Sequence, residues 1–262
     1  MLKIESRGGT KSAVDRNAMR ARVRTSLLLF ACMGAPLYSS AQSQQSGYAV
    51  SVRELSIPPK ALHAFEQGME HLSKKDAAGS LPHFQHAILE YAGYYEAYDR
   101  IGAADLKLWR VPEAEQAFRK SIELSAGQYA HPLLALGAIL DEREEFAEAE
   151  SVTRKGLELA PESWTGHYYL ALALFGLDRL VEAEKSVHEA LRKKADFPEA
   201  HLLLADIHSR EEDYRSLLND LDEYLKLAPE GPASARVKAL RESVQGMMLE
   251  SQNIASLAQS QP

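Results

Sequence analysis

Between residues 61 and 231, apolar residues recur at spacings of three and four, the period of an amphipathic helix and not of a strand. The clearest stretch runs from Leu133 to Pro161, LLALGAILDEREEFAEAESVTRKGLELAP. An apolar run gives way to the charged break Asp141-Glu142-Arg143-Glu144-Glu145. A second, more polar helical run follows and is closed by Pro161. This pattern predicts two helices joined by a tight turn. Upstream, residues 42–60 begin polar, and Pro58-Pro59 disfavours helix before it while Pro59 suits a first helical position. The pattern is then helical almost to the end of the chain.

The helical pair repeats. Starts at Ala61, Tyr95, Ala130, Trp164 and Pro198 are separated by 34, 35, 34 and 34 residues. Numbered from each start, position 8 is Gly68, Gly102, Gly137, Ala171 and Ala205, always small. Position 20 is Ser80, Ala114, Ala149, Ala183 and Leu217, and position 27 is Ala87, Ser121, Gly156, Ala190 and Tyr224. Position 7 is large in four units (Ile101, Leu136, Leu170, Leu204), and position 24 is Phe84, Phe118, Thr153, Val187 and Leu221. Small residues let paired helices approach to about 8–10 Å, and large ones fill the spaces beside them. The single 35-residue step places one extra residue near Gly127-Gln128.

These columns, five times in phase, resemble the tetratricopeptide repeat (TPR) family over residues 61–231. The resemblance implies an all-α fold: a right-handed TPR superhelix, or α-solenoid, of about five helix-turn-helix units (61–94, 95–129, 130–163, 164–197 and 198–231). Val237, Leu240, Val244 and Met247 form one apolar stripe and predict a capping helix over 232–249, followed by a disordered tail at 250–262. The resemblance also implies a peptide groove lined by positions 2, 5, 9, 12 and 13 of the first helix of each unit. The candidate groove residues are Phe65, Met69 and Leu72 in the first unit, Asp99 and Leu106 in the second, Leu134 and Asp141 in the third, Tyr168, Leu172 and Phe175 in the fourth, and Leu202 and Asp206 in the fifth. Such a groove, apolar and edged with acid, suits a hydrophobic or basic peptide segment. TPR clamps for a C-terminal carboxylate carry Lys and Asn at positions 5 and 9 of their first repeat. Phe65 and Met69 stand there, and the third unit has His131 and Ala135 at its clamp positions, so that clamp is not expected.

The N-terminal region reads as an address. Met19–Arg24 is basic, Thr25–Tyr38 is mostly apolar, and Ser39-Ser40-Ala41 puts small residues ahead of polar Gln42. This is the three-part layout of a secretory signal peptide over residues 1–41, with cleavage after Ala41, Met19 as the expected start and a flexible mature N-terminus over 42–60. The expected location is the periplasm or the exterior. Membrane attachment follows only if Cys32 is lipidated or the segment is uncleaved.

Charge and cysteine content narrow the chemistry. The net charge is -7, and the segment 1–41 holds seven Lys/Arg against Glu5 and Asp15. The remaining 23 basic and 35 acidic residues give residues 42–262 a charge of -12, which opposes non-specific nucleic-acid binding. Cys32 is the only cysteine, so neither an internal disulfide nor a cysteine-based zinc site can form. His83 and His86, and His201 and His208, share helix faces, but a zinc site needs three or four converging ligands, and no HExxH, P-loop, GxGxxG or GxSxG occurs. The expectation is therefore no enzyme, no metal, no cofactor and no small-molecule substrate. It is a non-enzymatic scaffold or adaptor of the bacterial cell envelope for a protein or peptide partner. A structural subunit using convex or end surfaces, and a metal-dependent enzyme using the histidines, are the alternatives. N-terminal sequencing of the exported chain is expected to start at Gln42; a mature end elsewhere refutes the cleavage assignment.

Overall fold

A computed structural model gives the fold of residues 56–259, with side chains described to Leu249. The signal segment and most of the expected flexible N-terminus lie outside the described residues. Eleven helices occur and no strand among the described residues: α1 (Pro59–Ser73), α2 (Ala77–Glu90), α3 (Tyr95–Lys107), α4 (Val111–Leu124), α5 (Ala130–Glu142), α6 (Phe146–Leu159), α7 (Trp164–Gly176), α8 (Leu180–Lys193), α9 (Pro198–Arg210), α10 (Tyr214–Leu227) and α11 (Ser234–Gln259). Two compact units divide the chain at Leu159/Ala160. The first stacks three helix pairs, α1–α2, α3–α4 and α5–α6; the second stacks α7–α8 and α9–α10 with α11 on the end.

The pairing follows from the small–large columns. A Cβ placed on Gly68 would stand 2.6 Å from Cε1 of Phe84, and one on Gly102 would stand 2.7 Å from the same atom of Phe118. In the third pair a Cβ on Gly137 would collide with Oγ1 of Thr153, and one on Gly156 would stand 2.6 Å from Cδ2 of Leu134. These glycines are the points of closest approach, so their missing side chains set the distance between the helices of each pair. Phe84 and Phe118 are fully buried in the space so defined.

Every turn within a pair ends its first helix in the same way. Lys75, Trp109, Glu144, Asp178 and Glu212 all have φ between 59° and 64°, and all occupy position 15 of their repeat. In the third turn the Glu144 N–H donates to the Asp141 carbonyl at 3.0 Å, and the Glu145 N–H to the Leu140 carbonyl at 2.9 Å. Trp109 and Arg110 bond Leu106 and Asp105 likewise, as do Asp178 and Arg179 with Phe175 and Leu174. This double bond around one left-handed residue is the Schellman motif, which satisfies the orphan carbonyls at a helix end. Glycine usually takes that position; none of the five is glycine, so periodicity alone did not reveal it. Between pairs, the link α4–α5 spans residues 125–129 where α2–α3 spans only 91–94. Its extra residue is absorbed by two successive positive-φ residues, Ala126 (50°) and Gly127 (70°).

One expectation is corrected here. The last helix starts at Ser234 and runs to Gln259, beyond the expected end at 249 and through most of the expected tail. No proline or glycine stands between Met247 and Gln259 to stop it, and the segment contains leucine, alanine and glutamine, which tolerate helix well. Val237 and Val244 of α11 are buried against Leu217, Leu221 and Tyr224 of α10, so the helix covers the apolar end of the second unit. The charged run 141–145 is tied down at two points. Asp141 is buried, and Arg143 binds Glu115 of α4 at 2.5 Å and Glu145 at 2.7 Å.

Thr153 occupies the column held by phenylalanine in the first two pairs. It is fully buried, and its hydroxyl has no hydrogen-bond partner among the described residues. A buried hydroxyl without a partner costs about 1–3 kcal/mol. Thr153→Val is therefore expected to raise the melting temperature by about 2–4 °C, and Gly102→Ala to lower it by more, since the added methyl meets the Phe118 ring. Thermal unfolding followed by circular dichroism checks both signs.

Candidate peptide-binding surface

The first helix of each pair was expected to present one face to a ligand, and α1 presents the most of it. Leu62, Phe65, Met69 and Leu72 lie at spacings of three, four and three and so share one side of the helix. Leu62 is 44% exposed, and Phe65, Met69 and Leu72 are half-buried. The four span about 15 Å of helix at 1.5 Å per residue. Phe65 is held in place by its neighbours. Its ring stacks on Tyr94 at 5.0 Å and tilts against Phe84 at 5.4 Å.

Further along the first unit the expected groove residues are withdrawn into packing. Asp99 is fully buried. Its Oδ1 accepts from Nδ1 of His131 at 2.6 Å and its Oδ2 from the Tyr129 hydroxyl at 3.4 Å, while Arg100 lies 3.7 Å away. Asp99 thus latches α3 to the start of α5 and does not edge an open groove. Leu106 packs with Phe118, Ala135 and Ile139. Leu134 is buried against Gly156, and Asp141 is buried at the end of α5. The reason is common to all four. Helix α5 lies against α3, α4 and α6, which leaves it no open side; from Pro132 to Asp141 every residue is buried.

The second unit divides in the same manner. Tyr168 is buried, its ring edge-on to Phe197 at 4.7 Å, and Leu172 is buried beside it. Phe175 is half-buried beneath the Arg210 guanidinium, which lies 3.6 Å from the ring centroid. Arg210 also donates to the Phe175 carbonyl at 3.1 Å and to Asp178 at 2.9 Å, so the cation is fixed over the ring by three contacts. Leu202 is half-buried against the core of α10 and α11, and Asp206 is half-buried next to it in sequence register. Glu199, on the same helix, has a carboxylate oxygen with no hydrogen-bond partner among the described residues. Burial raises its pKa, against a backbone hydrogen bond and the charge of Lys194.

The histidines do not all scatter. His71 stacks on His83 at 4.9 Å and accepts or donates through Nδ1 to Asp76 at 2.7 Å. His188 is exposed, 3.6 Å from Glu184. His208 is different: its Nδ1 lies 2.7 Å from Asp220 of α10 and its Nε2 3.4 Å from Glu184 of α8. Burial alone would lower its pKa, but the hydrogen bonds and charges of Asp220 and Glu184 outweigh that and hold it above the ordinary imidazole value. Sequence reading paired His208 with His201 by helix face. It missed Glu184, which only the packing of α8 on α9 brings near, and it missed the stacking of Arg210 on Phe175.

The chain has the tetratricopeptide-repeat fold. Solved TPR structures superpose on it at low identity. PilW, described as a widely conserved type IV pilus biogenesis factor, matches with a TM-score of 0.64 at 15% identity over 78% of this chain and 96% of its own. MamA from Desulfovibrio magneticus RS-1, residues 41 to the end, matches with a TM-score of 0.59 at 18% identity, covering 68% of this chain and 99% of that one. YrrB, described as a TPR protein with an unusual peptide-binding site, matches with a TM-score of 0.57 at 16% identity over 68% and 92%. No protein-family profile and no curated protein sequence matches the chain.

Replacing Asp99 tests the latch. Asp99→Ala leaves His131 and Tyr129 facing a cavity and is expected to cost about 1–3 kcal/mol, with Asp99→Asn milder because it keeps one acceptor. Urea unfolding of the two variants beside the parent measures the difference.

Proposed function

We propose that this chain is an exported protein-binding scaffold of the bacterial cell envelope, without catalysis of its own, which docks an apolar segment of a partner protein along α1. The observation that carries this reading is the accessible stripe Leu62–Phe65–Met69–Leu72. A helix that shows four apolar residues along one side, with one of them nearly half exposed, offers the i, i+3, i+7 anchors by which a groove or helix face takes a partner helix or strand. Phe65 is already immobilised by Tyr94 and Phe84, so less side-chain entropy is lost when a ligand covers it. The acidic body favours a segment with basic flanks. The basic, apolar and small-residue sequence of positions 19–41 supports export. The described peptide-binding site of YrrB and the description of PilW as a type IV pilus biogenesis factor lend support from the same fold.

A second reading, a structural subunit that joins an envelope complex through other faces, is favoured by three exposed apolar side chains away from that stripe: Leu89 (84% exposed), Val181 (74%) and Trp109 (59%).

The two are separated by pull-down from envelope extract with quantitative mass spectrometry. The double variant Leu62→Glu/Met69→Glu keeps the packed Phe65 and is expected to fold as the parent does while losing at least tenfold of the captured partner. Loss on Leu89→Glu or Val181→Glu with the double variant unaffected supports the subunit reading. Capture indifferent to all of them refutes docking on α1.

A further inference from the structure

The second unit brings together a group of side chains that peptide docking does not use. Glu184 of α8 faces α9, where His208 stands on the last turn and Glu211 is the residue that ends the helix. One donor atom from each of Glu184, His208 and Glu211 lies within 4.8 Å of the others. His208 and Glu211 are three apart and share a face, while Glu184 reaches them from the neighbouring helix.

We propose that Glu184, His208 and Glu211 bind a divalent transition-metal ion of the zinc type. The geometry supports it at three points. The Glu184 oxygen and His208 Nε2 are 3.4 Å apart, about the edge of a tetrahedron built on metal–ligand distances of roughly 2.0–2.1 Å. His208 Nδ1 is held by Asp220 from a third helix at 2.7 Å, the carboxylate–histidine arrangement that fixes a ligating ring so that Nε2 carries the free lone pair. His208 therefore does not need to be ordered by the ion; its side chain is only 12% exposed and already aimed. Glu211 is exposed, and one of its carboxylate oxygens already lies within 4.8 Å of the other two donors.

The donor set selects the ion. One imidazole and two carboxylates suit zinc, nickel or cobalt, whereas calcium and magnesium take six or more oxygens, or keep several waters, and gain little from a nitrogen ligand. Three protein ligands leave the fourth tetrahedral position open to water or to a side chain of a partner. Around the site, His188 lies 3.6 Å from Glu184, His201 lies 3.8 Å from Asp220, and the Asp213 N–H donates to the His208 carbonyl.

The test uses the untagged full chain carrying Cys32→Ser, which removes its single thiol. Zinc chloride is titrated by calorimetry, and metal content is measured after desalting. One ion per chain is expected, with the melting temperature raised by about 5–10 °C at a free zinc concentration one hundred times Kd. Glu211→Gln, an exposed change that leaves the fold alone, and His208→Gln are each expected to weaken binding at least tenfold. Asp220→Asn is expected to weaken it tenfold to a hundredfold, since it frees the ring without removing a ligand. The metal-free melting temperature of each variant separates loss of the site from loss of the fold. No binding by the parent overturns the proposal. Binding that survives both Glu211→Gln and His208→Gln overturns it equally, and would place the ion elsewhere, such as at His71, His83 and Asp76.

Discussion

The contact on which both units depend is the approach of a small residue on the first helix of a pair to a large one on the second. Gly68 on Phe84 and Gly102 on Phe118 show it directly: at those points there is no room for a methyl group. Once the distance is set, everything else in the pair is positioned. The buried phenylalanine fills the space that the missing side chain leaves, and the flanking alanines Ala87 and Ala114 lie fully buried beside it. Dispersion contacts of this kind are small singly, but interiors packed at crystal density gain from all of them at once and tolerate no gap. The third pair shows how far the rule bends. There threonine replaces phenylalanine, and Gly156 supplies a second point of close approach, into which Leu134 is drawn.

That displacement explains where sequence reading succeeded and where it failed. The repeat, its phase and its extra residue in the α4–α5 link were legible because each depends on residue size at a fixed period, and size is written in the sequence. The turn geometry was not. Position 15 is Lys, Trp, Glu, Asp and Glu in the five turns, with no shared chemistry. What fixes the left-handed residue is the pair of backbone bonds across the turn, which any side chain can accompany at a cost of order 1–2 kcal/mol. The end of the last helix was misread because polarity was taken as disorder, although Ser251–Gln259 holds nothing that breaks a helix.

The candidate surface was legible in part. Assigning positions 5, 9 and 12 to a groove treats every unit as equivalent, but a helix inside a stack has neighbours on more sides than one at its edge. Position 5 shows the consequence most clearly. Asp99, Leu134 and Tyr168 are buried, against His131, Gly156 and Phe197, while Phe65 and Leu202 stay half-buried, against Tyr94 and the α10 core. Even the acid at this position is consumed: Asp99 is spent on holding α3 to α5. No column of residue size reveals this, because only the packing of the helices brings Phe65 to Tyr94, Asp99 to His131 of the next repeat, and Tyr168 to Phe197.

Accessibility is therefore governed by position in the stack and not by position in the repeat. Among the described residues α1 has a second helix behind it, α2, and the helix of the next pair beyond that, but none on its other side. The side chains that a preceding pair would have covered, Leu62 and Met69 among them, are left partly in water. Keeping apolar atoms there costs about 25 cal/mol per Å² left wet, and a partner segment laid on the stripe recovers that free energy. The same geometry confines metal-ligating groups to the interfaces between pairs. Glu184 and His208 meet only because α8 packs on α9, so a site built from them would report on the integrity of that interface as well as on the ion.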